Sequence, residues 1–315
     1  MIEVEFVDRK SPVLTPSGLA CLRQVSTINL TAGCAHDCLY CYIRGYRNYP
    51  GEARVTLYAN AVERLRNELQ RKRRAIPAVY FSPSSDLFQP VPQVLDMAYR
   101  VLKLLFEFGI RVAFLTKGVI PRTHLQLLAE YAPLVWAEIG LISLDESVLR
   151  LFEPAAARAS RRLKQIGELV RRGINTEVRV DPIIPGFTDD ESSLRELIAA
   201  IASCGVKSIA ASTLFLRPAI TASLRKNLPS SQFNKLMSAF SAIERMDIHA
   251  DNSSIQAMSV ASRRRIYDRV RSIAAEFGIE AKICACKNPD LAQGSCGIAG
   301  QPQPSTGISL PLLFQ

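Results

Sequence analysis

The sequence predicts an α/β protein, a partial (βα)6 TIM-like barrel with a helical and cysteine-bearing C-terminal extension. Short apolar or β-branched runs alternate with amphipathic segments of helical period, and the connections between them are short. Strand–helix–strand order with short connections indicates a parallel sheet with right-handed crossovers. Six such units make an incomplete version of the eight-unit barrel. Ligands of such barrels bind at the C-terminal ends of the strands.

The barrel elements can be assigned in chain order. The predicted strands are 24–30, 78–82, 112–116, 135–144, 176–184 and 208–216. The predicted helices lie near 59–74, 92–108, 121–130, 159–172 and 190–203. Gly109 and Gly173 end two of these helices, as left-handed caps do.

After residue 217 the rhythm changes to helices. One begins near 229–246 and another spans 261–277, and a last strand, "EAKIC", leads into the tail. We therefore expect three parts in one compact unit. They are a lead-in segment (1–23), the barrel (24–216) and a C-terminal extension (217–315).

Composition indicates a globular protein that does not span a membrane. Hydrophobic residues make up 48% and charged residues 22%, and no run of eighteen apolar residues occurs. The first residues lack the uninterrupted apolar core of a signal peptide, so we expect a cytoplasmic location. The net charge of +10 suits an anionic partner such as nucleic acid or a phosphorylated small molecule. Arginines on solvated helix faces explain the charge equally well.

Three cysteines, Cys34, Cys38 and Cys41, lie within "GCAHDCLYCYIRG", directly after the first predicted strand. A structural zinc site needs four ligands, and His36 lies between two of the cysteines, where simultaneous binding would strain the loop. A [4Fe-4S] cluster held by three thiolates leaves one iron open for a small molecule. The spacing C-x3-C-x2-C, with Tyr40 just before the last cysteine, is the signature of the radical S-adenosylmethionine (SAM) enzymes.

Most of the chain resembles one branch of that superfamily, the proteins similar to spore photoproduct lyase. The segments that carry the resemblance occur in the family's order: "KSPVLTPSG", "TINLTAGCAHDCLYCYIRGY", "SPSSDLFQPV", "LTKG", "ISLDESVLRLFEPAAARASRRL" and "RVDPIIPGFTDD". The resemblance implies that the three cysteines hold the cluster and that SAM chelates the open iron. One electron from a reductant of the flavodoxin or ferredoxin type would then yield a 5′-deoxyadenosyl radical.

The resemblance also implies residues that contact SAM. They are Tyr40, Ser84, Ser85, Asp86, Lys117 and Ser143. The two hydroxyls and the carboxylate after the second strand suit the ammonium group of SAM. Lys117, after the third strand, and Ser143, after the fourth, are expected to contact the SAM carboxylate. Tyr40 is expected to pack by the cluster or the adenine.

The fifth predicted strand has one polar face. The candidate catalytic residues are Tyr42, which follows the last cysteine, and Glu177, Arg179 and Asp181, which alternate with valines. A polar face turned into a barrel is costly unless it binds something, which indicates a substrate site. Two alternatives remain open: the three charged residues form an internal ion pair, and the tyrosine belongs to the core.

The tail "KICACKNPDLAQGSCGIAG" carries a second group of cysteines, Cys284, Cys286 and Cys296. Their spacing, C-x-C-x9-C, is not a standard zinc pattern, and we interpret them as ligands of an auxiliary, second Fe-S cluster. A zinc clip and thiols for hydrogen transfer are the alternatives.

We therefore expect a radical SAM enzyme that modifies a nucleoside or a similarly sized polar metabolite, with sulfur insertion as one form of the chemistry. In spore photoproduct lyase a cysteine returns a hydrogen atom to the product, and its place here falls on Pro83. The alternatives are a nucleic-acid repair or modification enzyme and an Fe-S protein that only binds nucleic acid. No membrane partner is expected.

Overall fold

The computed structural model describes residues 2–16, 22, 25–72, 76–81, 83–248 and 253–292. The strands are β1 (Glu3–Val7), β2 (Thr15–Pro16), β3 (Ser26–Ile28), β4 (Thr31–Ala32), β5 (Arg54–Tyr58), β6 (Ala78–Phe81), β7 (Arg111–Thr116), β8 (Val135–Gly140), β9 (Asn175–Ile183), β10 (Ser208–Thr213), β11 (Glu244–Ile248), β12 (Ser253–Ala257) and β13 (Glu280–Ile283). The helices are α1 (Ala61–Arg71), α2 (Pro92–Glu107), α3 (Arg122–Glu130), α4 (Glu146–Phe152), α5 (Ala159–Arg171), α6 (Glu191–Ser203), α7 (Pro218–Asn227), α8 (Ser230–Ser238) and α9 (Val260–Glu276).

The main sheet confirms the predicted partial barrel. Its strand order is β2-β3-β6-β7-β8-β9-β10-β13, and every neighbouring pair is parallel except β2 with β3. Helices α1, α2, α3, α5 and α6 lie between successive barrel strands, as the sequence predicts. The parallel strands are largely buried, in keeping with helices that cover the sheet.

Local chemistry explains where several helices begin and end. Pro92 is the first residue of α2, where its missing N–H costs no hydrogen bond. The Asp190 side chain accepts the backbone N–H of Ser193 and so caps α6. The predicted left-handed caps are confirmed at Gly109 (φ +67°) and Gly173 (φ +72°).

The C-terminal extension differs from the prediction in two ways. The helix expected over 229–246 ends at Ser238, because residues 244–248 pair with β12 as an antiparallel hairpin. The predicted last strand, β13, also pairs with β10 and is the seventh parallel strand of the sheet. The division at residue 216 stays a prediction, and the extension contributes to the barrel itself.

Arg263, a fully buried residue of α9, anchors the chain that follows β13. Its guanidinium donates to both carboxylate oxygens of Asp290, at 3.0 and 2.5 Å, and to the side-chain oxygen of Asn288 at 3.1 Å. The Asn288 amide in turn donates to the carbonyl of Cys284 at 3.0 Å. These buried contacts fix the first part of the cysteine-bearing tail against the barrel.

No helix in the described part of the chain is long and apolar enough to cross a membrane.

Candidate active site at the barrel mouth

A cavity of about 460 Å³ opens where the barrel strands end. Its size falls within the range of small-molecule sites, ~300–1,000 Å³. Most of the predicted site residues line it together: Cys34, Cys38, Cys41, Cys284, Cys286, Tyr40, Tyr42, Ser84, Ser85, Asp86, Lys117, Arg179 and Asp181. The structure therefore brings both described cysteine groups to one cavity, although they are far apart in sequence.

The loop that carries the first three cysteines is shaped by its backbone. Gly33 has φ +81°, and a Cβ there would lie 2.5 Å from the carbonyl oxygen of Arg54, so only glycine fits. Within the loop, the N–H of Cys41 donates to the carbonyl of Cys38 at 3.2 Å. A 3₁₀ turn, Tyr42–Gly45, follows immediately. These turns are local and place the three thiols in the same wall.

The chemistry of the three thiols suits a positively charged group. Burial raises the pKa of Cys34, Asp86 adds to the rise, and the thiolates of Cys38 and Cys41 raise it further. Three such buried thiolates need a positive group between them. An iron–sulfur cluster would supply that charge, with each thiolate on a separate iron.

Asp86 is held by four contacts on its carboxylate. It accepts the N–H of Phe88, the hydroxyl of Thr116 and the N–H of Lys117, each at 2.8 Å, and His36 Nε2 lies 3.1 Å away. Burial acts to raise the pKa of Asp86, but His36 and the backbone donors lower it overall. Asp86 therefore fixes the loops after β6 and β7, and its contact with SAM stays a prediction.

The two serines beside Asp86 differ in their bonding. The backbone N–H of Ser84 donates to the side-chain oxygen of Asn29 at 3.1 Å. The hydroxyl of Ser85 is buried in the cavity wall without a hydrogen-bond partner in the described residues. Because a buried hydroxyl without a partner is costly, a polar ligand is the natural partner for Ser85.

Lys117 and Tyr40 share a buried acidic partner that the sequence analysis did not assign. The Tyr40 hydroxyl donates to the Glu153 carboxylate, and Lys117 Nζ lies 4.0 Å from the same carboxylate and 5.7 Å from the Tyr40 ring. Arg162 pairs with Glu153 at 2.5 Å. Glu153 and Arg162 both occur in "LFEPAAARASRRL". The only sequence signal for their pairing is that an acid and a base lie nine residues apart.

The charged side chains of β9 form internal ion pairs. Arg179 donates to Glu138 at 3.0 Å and to Asp181 at 3.2 Å. Asp181 also accepts Lys287 Nζ, at 2.8 and 2.7 Å from its two oxygens. Burial acts to lower the pKa of Arg179, but Glu138 and Asp181 raise it well above its ordinary value. The alternative of an internal ion pair thus describes their bonding, and catalytic roles for Arg179 and Asp181 stay predictions.

Glu177 and Ser143 are not in the cavity wall. The Glu177 carboxylate accepts Lys282 Nζ and the Ser208 hydroxyl, both at 2.9 Å, so β10 and β13 neutralise it away from the mouth. The Ser143 hydroxyl accepts the N–H of Asp145 at 3.0 Å in the turn before α4. Neither side chain lines the cavity, and the catalytic role of Glu177 and the SAM contact of Ser143 stay predictions. Cys296 lies outside the described residues.

Tyr42 lines the cavity and also packs against the hydrophobic core, and its catalytic role stays a prediction. Its ring lies edge-on to Tyr46, with centroids 5.7 Å apart, and the Arg217 guanidinium carbon is 6.0 Å from the ring centroid. The sequence analysis did not single out Arg217. It is the residue before Pro218 at the start of α7, and no local pattern pointed to the cavity.

Three thiols at the C-terminal end of a parallel sheet, beside a cavity of this size, form a candidate cofactor and small-molecule site at the barrel mouth. Sequence comparison agrees, since the profile of the radical SAM superfamily matches residues 28–199. The chain belongs to the radical SAM superfamily, and that membership implies a [4Fe-4S] cluster and SAM.

Two curated relatives illustrate the family. A radical SAM Nα-GlyT isomerase of Pseudomonas phage M6 is 30% identical over 171 residues, covering 53% of this chain and 35% of the relative. An uncharacterized protein of Mycobacterium tuberculosis is 29% identical over 201 residues, covering 61% of this chain and 59% of the relative. The chain thus spans less than two thirds of the length of either relative.

Solved structures support the fold. A spore photoproduct lyase variant superimposes with a TM-score of 0.68 at 16% identity, covering 89% of this chain and 81% of that chain. Streptococcus suis SuiB bound to S-adenosylmethionine gives a TM-score of 0.51 at 12% identity, covering 82% of this chain and 49% of that chain. At these identities the likeness concerns the fold.

Proposed function

We propose that this protein cleaves SAM reductively and uses the resulting radical to modify a nucleoside or a similar metabolite. The observation that carries the proposal is that Cys34, Cys38 and Cys41 share one substrate-sized cavity with unassigned polar and aromatic groups. When bound there, the [4Fe-4S] cluster and SAM would supply a 5′-deoxyadenosyl radical that abstracts a hydrogen atom.

The residues that line the cavity fall into two groups by their chemistry, which we call its two walls. The first, the SAM wall, consists of Tyr40, Ser85 and Lys117. These supply an aromatic face, an unbonded hydroxyl and a cation, which together suit the adenine, ammonium and carboxylate groups of SAM. Because Lys117 is held by Glu153 and Tyr40, its ammonium is oriented before any ligand arrives.

The other wall suits a planar ring with a polar or anionic substituent. Tyr42, Phe215 and Ile255 supply aromatic and apolar surface, and Arg217 supplies positive charge, whereas Lys287 is already paired with Asp181. Bases stack on aromatic side chains, and arginine binds phosphate and other oxyanions. This combination supports a nucleoside or nucleotide substrate. A solved complex of spore photoproduct lyase contains a dinucleoside, which fits the same substrate class.

We also propose that the tail binds a second Fe-S cluster, with Cys296 as its third cysteine. Cys284 and Cys286 lie in the wall of the same cavity as the SAM-cluster cysteines, so a cluster there would adjoin the substrate. A cluster there would supply a binding site for substrate, an electron or a sulfide, and the last is how sulfur insertion would arise. A zinc clip and reactive thiols are the competing interpretations.

The core of the proposal is tested by SAM cleavage in the reconstituted protein. We expect formation of 5′-deoxyadenosine that requires both the reconstituted cluster and a one-electron reductant. Nucleosides and nucleotides that bind the second wall are expected to increase the rate of 5′-deoxyadenosine formation. A bound substrate excludes water and supplies the hydrogen atom that the radical abstracts. Chromatographic measurement of 5′-deoxyadenosine with and without dithionite checks this. No 5′-deoxyadenosine under any reducing condition would favour a protein that only binds nucleic acid.

A nucleic-acid substrate is the second candidate, favoured by the net charge of +10 and by the fold of spore photoproduct lyase. The two candidates differ in salt dependence. A protein that neutralises several phosphates is expected to lose roughly 10³-fold or more in affinity between 50 and 200 mM salt. A single nucleoside is expected to lose little over the same range. Fluorescence anisotropy with a short oligonucleotide and equilibrium dialysis with a nucleoside decide between them.

A further inference from the structure

The segment that follows α4, residues 152–157, holds the cysteine loop by its backbone. The N–H of Leu39 donates to the carbonyl of Phe152 at 2.9 Å. The N–H of Ala155 donates to the carbonyl of His36 at 3.3 Å, and the His36 ring nitrogen Nδ1 lies 3.3 Å from the Ala155 carbonyl. We call residues 152–157 the cradle segment. Its contacts fall on loop residues that lie between the cluster cysteines.

The cradle segment also reaches the end of the third barrel strand. The N–H of Ala157 donates to the carbonyl of Lys117 at 2.9 Å. One short segment therefore contacts both the cysteine loop and the lysine that faces the SAM wall. A shift of this segment would move both.

Glu153 is the charged residue of the cradle segment, and its side chain is fully buried. Its carboxylate accepts the Tyr40 hydroxyl and pairs with Arg162 at 2.5 Å, and Lys117 Nζ lies 4.0 Å away. The Arg162 guanidinium is itself held in place by two further hydrogen bonds. It donates to the carbonyl of Ala157 at 2.7 Å and to the carbonyl of Gly140, at the end of β8, at 2.9 Å. The carboxylate is thus fixed to the barrel frame.

We propose that Glu153 is a positioning residue for the cluster loop and the SAM wall. It acts through the Tyr40 hydroxyl, which lies in the loop next to Cys41, and through the ammonium of Lys117. For SAM binding the inference rests on the proposed function, whereas the effect on the loop does not. Because the Glu153 charge lies near Cys38, its removal alone changes the reactivity of that thiol, whereas Tyr40→Phe keeps the charge. A buried ion pair that served stability alone would leave the reactivity of the loop thiols and the affinity for SAM unchanged in folded Tyr40→Phe.

The test compares Glu153→Gln with Tyr40→Phe. The first removes the charge with little change of shape, and the second removes only the hydroxyl link and leaves the Glu153–Arg162 pair intact. Glu168→Gln is the matched control, since Glu168 pairs with Arg172 at 3.0 Å on the exposed face of α5. Thermal unfolding of each apoprotein establishes the temperature at which all are folded.

The first readout is the alkylation rate of Cys38 in the apoprotein, followed by peptide mass spectrometry. Cys38 is buried, so a loop held in place protects it. We expect Glu153→Gln and Tyr40→Phe each to raise the alkylation rate several-fold. The double variant should react little faster than either single variant, because both changes act through one contact. Glu168→Gln should react at the wild-type rate. If Glu153→Gln does not fold, an unchanged rate in Tyr40→Phe overturns the inference.

The second readout is the dissociation constant for SAM in oxidised, reconstituted protein, where no turnover occurs. Removing the buried charge in Glu153→Gln, or the hydroxyl that donates to it in Tyr40→Phe, is expected to weaken binding roughly tenfold. Equal affinities in folded variants with full iron content would overturn the role in SAM binding. If the wild type itself binds no SAM while Cys38 still becomes reactive in the variants, the proposed function fails and the positioning of the loop stands.

Discussion

Replacing Cys34, Cys38 and Cys41 together by alanine is expected to abolish reductive SAM cleavage. A site with three thiolates has no remaining cysteine ligand for its cluster once they are removed, and the other described thiols of the cavity wall, Cys284 and Cys286, belong to the tail. The measurement is 5′-deoxyadenosine formation after anaerobic reconstitution, together with iron and acid-labile sulfide content. Cys204→Ala is the control, because Cys204 caps α6 and bonds backbone carbonyls of α5 and α6 instead of lining the cavity.

The metal content of the same variant tests the tail. If the tail binds its own [4Fe-4S] cluster, the wild type should contain about eight irons and the triple variant about four, with equal sulfide. A wild type with about four irons and a variant with none would contradict the second cluster. Zinc analysis would then separate a zinc clip from reactive thiols, and nucleic-acid repair would become the leading interpretation. Retained SAM cleavage in the triple variant would contradict the assignment of the first cluster.

Replacing Arg179 by methionine is expected to cost about 3–5 kcal/mol of unfolding free energy, the cost of leaving a buried charge without its partner. Glu138 has a fully buried side chain, and its remaining hydrogen bond comes from the Tyr80 hydroxyl at 2.8 Å. Asp181 is affected less, since Lys287 still neutralises it. Urea unfolding of the apoprotein at neutral pH measures the loss.

The loss should depend on pH in a defined direction. Burial already raises the pKa of Glu138, and Arg179 opposes that rise. Without Arg179, the Glu138 carboxyl of the folded variant would keep its proton above pH 4. In the unfolded chain the same carboxyl loses its proton near its ordinary pKa of about 4.3. The deficit should therefore grow as the pH rises above that value and shrink in acid.

Arg172→Met provides the control for this experiment. Arg172 pairs with Glu168 one helical turn away, and both side chains are 36% exposed, so the pair should contribute no more than about 1 kcal/mol. An Arg179→Met loss as small as this control, or one independent of pH, would contradict the view that Arg179 stabilises the buried Glu138 carboxylate.

The cluster motif could be predicted from sequence because its geometry is local. Cys34, Cys38 and Cys41 lie within one loop, and Gly33 and the 3₁₀ turn after Cys41 shape it locally, although residues 152–157 also hold it through backbone hydrogen bonds. The order of barrel strands was predictable for a similar reason. Short parallel connections leave few topologies, and buried parallel strands read as apolar runs.

The partners of the charged side chains could not be predicted in this way. Arg179 finds Glu138 at 41 residues' separation, Glu177 finds Lys282 at 105, and Asp181 finds Lys287 at 106. The alternation on β9 correctly indicated a polar face inside the barrel. It could not distinguish ligand contacts from ion pairs, because the pairing depends on β13 joining the sheet.

By itself, the sequence determined the fold class, the strand order of the barrel and the three-cysteine loop, since these follow from periodicity and from contacts between near neighbours. Only the tertiary structure decided that Cys284 and Cys286 share the mouth with that loop, that Glu177 and Ser143 do not, and that Glu153 lies behind Tyr40. Each of these depends on segments far apart in sequence meeting in one buried space, where desolvation makes every charge find a partner.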